Sequence, residues 1–291
     1  MKLTAKFNLI FIVISALALT ATGMVARKFL ESGARDQVVQ QARLIMDTSQ
    51  ATRNYTSQQI RPLLLQLQRN NKVFYPQTVP AFSATKIFNY LRKSYPDYAY
   101  KEATLNPTNL EDRAADWEAD VVNVFRKDPN QSEFIGVRET PAGPSLFLAK
   151  PIKSVESCME CHSVPSAAPP AMIKLYGGNN GFGWKLNEIV AAQIVSVPMA
   201  IPNAIAEGAL RSLMVWMGTI SLLSLLLLNV VLIVAIVRPV KRLSVAADEI
   251  SKGNLNVPEL KVKGSDEVSV LADSFNRMHR SLVKAIKMLE E

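Results

Sequence analysis

The chain has 291 residues, of which 48% are hydrophobic, and a formal net charge of +8 at pH 7. This length can hold one large domain or two small ones. The positive charge is spread thinly and forms no basic block of the kind that grips nucleic acid, so we expect no nucleic-acid partner. The hydrophobic residues, by contrast, are concentrated in two stretches.

Residues 7–26 and 213–237 contain no charged side chain and predict two transmembrane helices. A helix rises about 1.5 Å per residue, so both stretches can cross a hydrocarbon core about 30 Å thick. Residues 1–6 would then be a short cytoplasmic stub. The alternative for the first stretch is a cleaved signal peptide, because residues 16–18 read Ala-Leu-Ala, like a cleavage site. The apolar character persists to Ala26, which favours a retained helix.

Residues 27–211, between the two spans, are numerous enough for one domain with its own core. Residues 31–69 predict a long helix that continues the first span, since no proline precedes Pro62 and residues such as Val38 and Ala42 keep helical spacing. Segments interrupted by several prolines follow this helix. A second helix is then predicted at residues 110–127, followed by three short strands at residues 133–139, 145–150 and 189–197, the last rich in β-branched residues. The fold class is therefore mixed α+β.

Three of the four cysteine and histidine residues fall within residues 158–162, which read Cys-Met-Glu-Cys-His. This C-x-x-C-H spacing is typical of c-type haem attachment. Two thiols one helical turn apart can form thioethers with the haem vinyl groups, and the next residue directs an imidazole at the iron. We therefore expect one covalent haem c, anchored by Cys158 and Cys161, with His162 as the proximal iron ligand.

Other uses of the two thiols explain less. A structural zinc site needs about four ligands, and the second histidine, His279, lies beyond the second span. A thioredoxin-like redox pair leaves the adjacent histidine unexplained. A disulfide between Cys158 and Cys161 would close a very small loop and stabilise little. Because bacteria attach haem c outside the cytoplasm, we expect residues 27–211 in the periplasm, both ends in the cytoplasm, and the chain in the inner membrane.

Further motifs accompany the C-x-x-C-H. Residues 106–109 read Asn-Pro-Thr-Asn, residues 116–118 read Asp-Trp-Glu, and residues 181–186 read Gly-Phe-Gly-Trp-Lys-Leu. Their order resembles the bacterial PAS-like periplasmic c-type haem sensor domain family over residues 30–205. The resemblance implies a PAS-like antiparallel sheet with flanking helices, one haem c, and sensing of redox state or a small ligand.

The distal iron ligand stays open. The resembled family can take it from the long amino-terminal helix, in one form as a cysteine thiolate, but residues 27–211 hold no spare cysteine and no second histidine. A thioether is one possibility, with Met46 on the apolar helix face as the first candidate and Met172 and Met199 behind it. Core packing explains each methionine equally well, and water, a vacant position or another residue are the remaining options.

Several aromatic and basic residues are placed where they could complete a haem site. Tyr176, Phe182 and Trp184 could wall the haem, with aromatic core packing as the alternative. Arg53 and Lys174 could pair with haem propionates, but a solvated surface is favoured for both.

Residues 238–291 follow the second span and predict two helices separated by a polar connector. Gly253 ends the first helix, and the second begins near Ser265, whose side chain can cap it beside Asp266 and Glu267. Both helices carry an apolar seam with spacings of 3 and 4: Val240, Leu243, Ala247 and Ile250, then Val268, Leu271, Phe275, Met278, Leu282, Ala285 and Leu289. This arrangement resembles a HAMP domain, which implies a parallel four-helix bundle formed by a homodimer. A plain coiled-coil stalk is the alternative.

These features favour a membrane-bound haem c signal receptor that acts through HAMP on a cytoplasmic partner in trans, such as a kinase, or on an output domain outside this sequence. A membrane-anchored electron-transfer c-type cytochrome is the alternative, but that function does not explain the HAMP-like helices of residues 238–291. A haem enzyme such as a peroxidase needs distal acid–base groups, and the domain has no distal histidine, so we expect no enzymatic activity.

Overall fold

The structure is a computed structural model that describes residues 3–141, 143–261 and 264–290, without the side chains of residues 289 and 290. The predicted seam residue Leu289 therefore lies outside the described side chains, as does all of residues 1 and 2 of the predicted stub. The chain divides into two compact units. We call Arg27–Ala209 the sheet unit, and Met1–Ala26 together with Leu210–Glu291 the helical unit.

The predicted long amino-terminal helix is confirmed. It consists of α1, Leu3–Tyr55, a π-helical turn at Thr56–Ile60, and α2, Arg61–Asn71. Pro62 lies just after the π-helical turn within this continuous helix, and as a proline it has no N–H to donate to the preceding turn. Lys72 ends α2 in the left-handed region, with a φ of 49°. The apolar spacing in the sequence gives no sign of the π-helical turn.

A four-stranded antiparallel sheet forms the centre of the sheet unit, in the order β1-β4-β3-β2. Its strands are β1 Ala99–Thr104, β2 Phe134–Thr140, β3 Gly143–Lys153 and β4 Ile189–Pro198. The three predicted strands and the mixed α+β class are confirmed. The sequence pattern misses β1, because the strand buries Glu102, a residue type depleted in strands.

Each face of the sheet carries its own apolar core, because side chains alternate along a strand. On β3, Leu146 and Leu148 pack with α1 and with α3, Pro80–Leu91. On the opposite face, Phe147 packs with α4, Asp116–Lys127. Helices therefore cover both faces of the sheet.

The predicted helix over residues 110–127 starts later than expected. A single 3₁₀ turn covers Leu110–Asp112, and α4 begins at Asp116. The reason is the pairing of the intervening residues with β1: the backbone N–H of Ala114 donates to the Thr104 carbonyl over 2.9 Å. Such extended residues cannot join a helix.

Two short helices lie between β3 and β4, at the position predicted for the haem-binding loop. They are α5, Glu156–His162, and α6, Pro170–Tyr176. The loop from α6 to β4 contains Gly181 and Gly183, both with positive φ.

The second long helix is α7, Ala200–Val231, of which residues 210–231 belong to the helical unit. It passes through a π-helical turn at Leu232–Val237 into α8, Arg238–Ser251. Both long helices of the chain contain an apolar window long enough to cross a membrane. Inside the helical unit, the side-chain amides of Asn8 and Asn229 bind each other reciprocally, at 3.0 and 2.9 Å.

The last helix, α9, spans Glu267–Glu290. The prediction that Ser265 caps it is corrected: Asp266 accepts from the backbone N–H of Ser269 over 2.8 Å. Hydrogen bonds from the side chain and the backbone of Ser269 lower the pKa of Asp266. Buried His279 contacts the Leu255 carbonyl through Nε2 at 3.1 Å, so it binds the connector before α9.

Candidate functional site

Helix α5 carries both cysteines of the chain. Cys158 and Cys161 lie one helical turn apart, are partly exposed, and are not joined in a disulfide. Burial and the neighbouring Glu160 carboxylate raise the pKa of the Cys161 thiol. Two accessible thiols on one short helix can react with a single planar ligand.

His162 ends the same helix, and its imidazole has a defined hydrogen-bond partner. Its Nδ1 lies 2.7 Å from the backbone carbonyl oxygen of Gly181 and 3.4 Å from Oγ1 of Thr108. A carbonyl can only accept, so Nδ1 carries the proton and the Nε2 lone pair is available to a metal. Burial lowers the pKa of His162, which favours the neutral, ligating form of the ring.

The Trp184 indole fixes the plane of that imidazole. The two rings are stacked, with centroids 3.9 Å apart and planes 7° apart. Two backbone hydrogen bonds support the stack, from Trp184 N–H to the His162 carbonyl at 3.2 Å and from Gly183 N–H to the Ser163 carbonyl at 2.9 Å. Trp184 thus packs against His162, a contact that neither predicted role, walling the haem or packing in an aromatic core, had named.

Gly181 is required at its position for two reasons. Its φ of +84° lies in the left-handed region, and a Cβ there would lie 2.0 Å from Thr108 Oγ1 and 2.8 Å from Thr108 N. The backbone of the loop before β4 therefore lies directly against residues 106–108. The spacing of these two segments along the sequence does not predict that they are in contact.

The helix that carries the π-helical turn lies beside α5. Arg61 donates to the Glu160 carboxylate over 3.0 Å, and Glu160 lies between the two cysteines. One helical stretch earlier, Arg53 pairs with buried Glu102 on β1. The solvated surface favoured for Arg53 is thus wrong, because its side chain is 20% exposed and its charge is compensated by Glu102.

Glu102 belongs to a buried polar network between α1 and the sheet. Its carboxylate accepts from Tyr100 Oη at 2.8 Å, and the same hydroxyl accepts from the Gln193 amide at 3.2 Å. Burial, followed by the Glu102 charge, raises the pKa of Tyr100 above its ordinary value. Sequence reasoning misses this network, because the partners lie on separate elements.

The three candidate methionine ligands lie in apolar surroundings. Met46 is fully buried in the core between α1 and the sheet, and Met199 packs against the same core. Met172 is buried on α6. Of the remaining residues, Tyr176 meets Phe74 edge to face at 6.2 Å. Lys174 is exposed, as predicted, and Phe182 is half-buried.

The residues around α5 fit a haem. The thiols, the Nδ1-protonated imidazole and the free Nε2 lone pair are the donor set that covalent haem attachment needs. Large apolar side chains beside α5, on α6 and in the loop to β4 are also more than half exposed: Val155, Val164, Leu175 and Leu186. Among the described residues, no group of three or more His, Cys, Asp or Glu side chains is arranged to hold a bare metal ion.

Comparison with known proteins gives two matches along the chain. The Tll0287-like family (Tll0287) matches residues 31–198, and the HAMP domain matches residues 231–284. The succession predicted from the sequence, a haem-protein domain followed by HAMP, is confirmed. No curated protein matches the chain. The crystal structure of the cyanobacterial heme-protein Tll0287 is similar at 14% identity over 40% of this chain and 69% of that chain, with a TM-score of 0.35.

Proposed function

This chain belongs to the Tll0287-like family, and on that premise we propose that it is a membrane-bound signal receptor that carries one covalent haem c. The HAMP domain that follows supports signalling rather than catalysis. The observation that carries the proposal is the geometry of α5: two accessible thiols followed by a histidine whose Nδ1 is bound to the Gly181 carbonyl. We assign Cys158 and Cys161 as the anchors and His162 as the proximal ligand.

The haem would supply an iron whose charge or ligation changes with redox state or with a bound small molecule. The chain's own residues would transmit that change. Arg61 joins α5 to α2 through Glu160, and Arg53 joins α1 to the sheet through Glu102. A small shift in these contacts would bias a two-state helical relay.

The topology that we propose follows from the chemistry of haem attachment. Residues 1–6 would be cytoplasmic, residues 7–26 and 213–237 would cross the bacterial inner membrane, and residues 27–211 would be a PAS-like periplasmic sensor domain. Residues 238–291 would form the HAMP four-helix bundle with a second copy of the chain. The seam residues Leu271, Met278 and Leu282 are 52%, 57% and 39% exposed, which supports a partner helix on that face. The signal would pass to a cytoplasmic partner such as a kinase.

We keep Met46 as the candidate distal ligand. It lies on the helix that the resemblance points to, although its apolar packing is an equally good account of its burial. If Met46 binds iron, the oxidised spectrum is low-spin with a weak sulfur-to-iron charge-transfer band at long wavelength, and Met46→Leu removes that band. A high-spin spectrum that Met46→Leu leaves unchanged would favour an open, ligand-binding iron.

Covalent attachment is tested on denaturing gels. The purified chain should keep its haem through denaturation and stain for haem peroxidase activity, because thioethers survive unfolding. Cys158→Ser combined with Cys161→Ser should abolish the stain. As a matched control, Ser157→Ala changes an exposed residue of α5 itself and should leave the stain intact. Haem that extracts with acid acetone from the wild-type chain would overturn the proposal.

A further inference from the structure

Asn106 lies outside α5, yet both halves of its side-chain amide bind the loop that contacts His162. Its Oδ1 accepts from the backbone N–H of Gly181 at 3.1 Å, and its Nδ2 donates to the backbone carbonyl of Phe182 at 3.4 Å. A single asparagine thus satisfies one donor and one acceptor of the same short segment.

These two bonds flank the atom that matters for His162. The Gly181 N–H belongs to the peptide unit before residue 181, and the Phe182 carbonyl belongs to the peptide unit after residue 182. Between them lies the carbonyl of Gly181, which accepts from His162 Nδ1 at 2.7 Å. Holding both neighbouring peptide units fixes the direction of the carbonyl between them.

We propose that Asn106 is a positioning residue for the proximal histidine: by clamping the Gly181–Phe182 backbone it aims the Gly181 carbonyl at Nδ1 and so holds His162 in the tautomer with Nε2 free. The inference rests on the proposed function for its consequence at the iron. The clamp itself is a property of the chain and can be tested without haem.

The two residues after Asn106 also restrict the position of the Gly181 carbonyl. Pro107 is buried and fixes the backbone between Asn106 and Thr108. Thr108 fills the space that a side chain at residue 181 would need, and its Oγ1 lies 3.4 Å from His162 Nδ1. Backbone rigidity and close packing thus leave the Gly181 carbonyl little freedom once Asn106 is in place.

A histidine that donates a strong hydrogen bond from Nδ1 gives more electron density to the metal through Nε2. It therefore stabilises the more highly charged state of the metal. Loosening the clamp should therefore weaken the preference for oxidised iron. A tenfold change in that preference corresponds to about 59 mV for a one-electron couple.

Selective ¹⁵N-histidine labelling of the full-length chain in detergent gives a direct test, because the chain contains two histidines. His162 carries its proton on Nδ1, whereas His279 contacts the Leu255 carbonyl through Nε2. The NMR signals of the two rings therefore differ. His279 serves as an internal control. The variants are Asn106→Ala and, as a matched control from the same motif, Asn109→Ala. Asn109 binds the Glu111 N–H at 3.2 Å rather than the Gly181 loop.

In Asn106→Ala we expect exchange of the His162 Nδ1 proton with water to accelerate at least tenfold, with the His279 signal unchanged. Asn109→Ala should match the wild type. In the haem-loaded chain, the midpoint potential of Asn106→Ala should move to more positive values and that of Asn109→Ala should not. Asn106 is exposed, so its truncation leaves no cavity and the fold should survive.

Equal exchange rates in Asn106→Ala and the wild type would overturn the inference, as would an equal acceleration in Asn109→Ala. A wild-type chain without covalent haem would overturn the proposed function alone, since the proton exchange of His162 is measured in the same sample. Asn106→Gln, whose amide is one methylene longer, should restore part of the protection. Failure of Asn106→Gln to exceed Asn106→Ala would count against a hydrogen-bonding role.

Discussion

Arg61 on α2 donates to the Glu160 carboxylate on α5 over 3.0 Å, and so joins the helix that follows the π-helical turn to the segment that carries both cysteines. Their side chains are 30% and 48% exposed, so the pair contributes less than about 1 kcal/mol to the free energy of unfolding. Its importance is geometric. It is a direct side-chain contact between the proposed attachment helix and the long amino-terminal helix.

Arg61→Gln should therefore affect transmission more than stability. We expect the free energy of unfolding to fall by less than about 1 kcal/mol, while any redox-dependent change in α8 and α9 becomes smaller. The control is Arg43→Gln, which breaks the pair with Glu133; that pair is 2.9 Å long and likewise partly exposed. An equal loss of transmission in both variants would contradict a specific role for Arg61.

Gly181 and Gly183 form a matched pair for testing the packing beside His162. Both have positive φ, +84° and +82°, but only an alanine at 181 would collide with Thr108; at 183 nothing lies within 4 Å. Gly183→Ala should cost about 1 to 2 kcal/mol of backbone strain. Gly181→Ala should cost several kcal/mol and lower the yield of haem-loaded protein. Similar unfolding midpoints for the two variants, measured by circular dichroism in urea, would contradict the described contact.

The ion pair between Arg53 and Glu102 is largely buried, so removing Arg53 leaves the Glu102 carboxylate without its opposite charge. Arg53→Met should lower the free energy of unfolding by about 3 to 5 kcal/mol, and adding Glu102→Gln should restore much of it. Arg43→Met, at the exposed pair with Glu133, should cost less than about 1 kcal/mol. A double variant as unstable as Arg53→Met would show that the charge is not the cause.

Asp112 should give the sheet unit an unusual pH dependence. Burial, and then the Glu102 and Glu111 charges, raise the pKa of Asp112 from 3.8 to about 6. Between these values the folded chain binds more protons than the unfolded chain, so the free energy of unfolding contributed by Asp112 falls as pH rises from about 4 to 6. Asp112→Asn should remove that fall and stabilise the chain at pH 7 by about 1 to 2 kcal/mol.

The control for this titration is Asp120→Asn, an exposed carboxylate on α4. Urea unfolding at pH 4, 5, 6 and 7 would compare both variants with the wild type. A slope between pH 4 and 6 that survives in Asp112→Asn would assign the titration to another group.

Local patterns predicted the elements whose signals are local. The high content of β-branched residues in β4 and the C-x-x-C-H of α5 are visible in consecutive residues, and both lie where they were expected. β1 was missed because Glu102 looks out of place in a strand until Arg53, from another helix, is beside it. The cap of α9 was assigned to Ser265 because serine and aspartate are both good caps and their order does not say which side chain turns back.

The surroundings of His162 could be predicted in part. The Gly-Phe-Gly-Trp motif and the Asn-Pro-Thr-Asn motif are both visible in the sequence, but nothing in the sequence pairs them. The pairing depends on Gly181 lying against Thr108, a contact between segments separated by α4, β2, β3, α5 and α6. A tertiary contact between distant segments leaves no periodic pattern in the sequence, so it could not be predicted from the sequence.

The central claim is that the state of the haem reaches the cytoplasmic helices, and disulfide crosslinking in α9 tests it most directly. Val268→Cys and Leu271→Cys, examined separately in the haem-loaded dimer, should crosslink at rates that differ between the oxidised and reduced states. A bias of about 1.4 kcal/mol between two packings of the bundle would change the ratio tenfold. His162→Ala should remove the difference and leave the dimer intact. Identical rates in both redox states, and with oxygen, nitric oxide or carbon monoxide, would contradict the receptor and favour a membrane-anchored electron-transfer cytochrome.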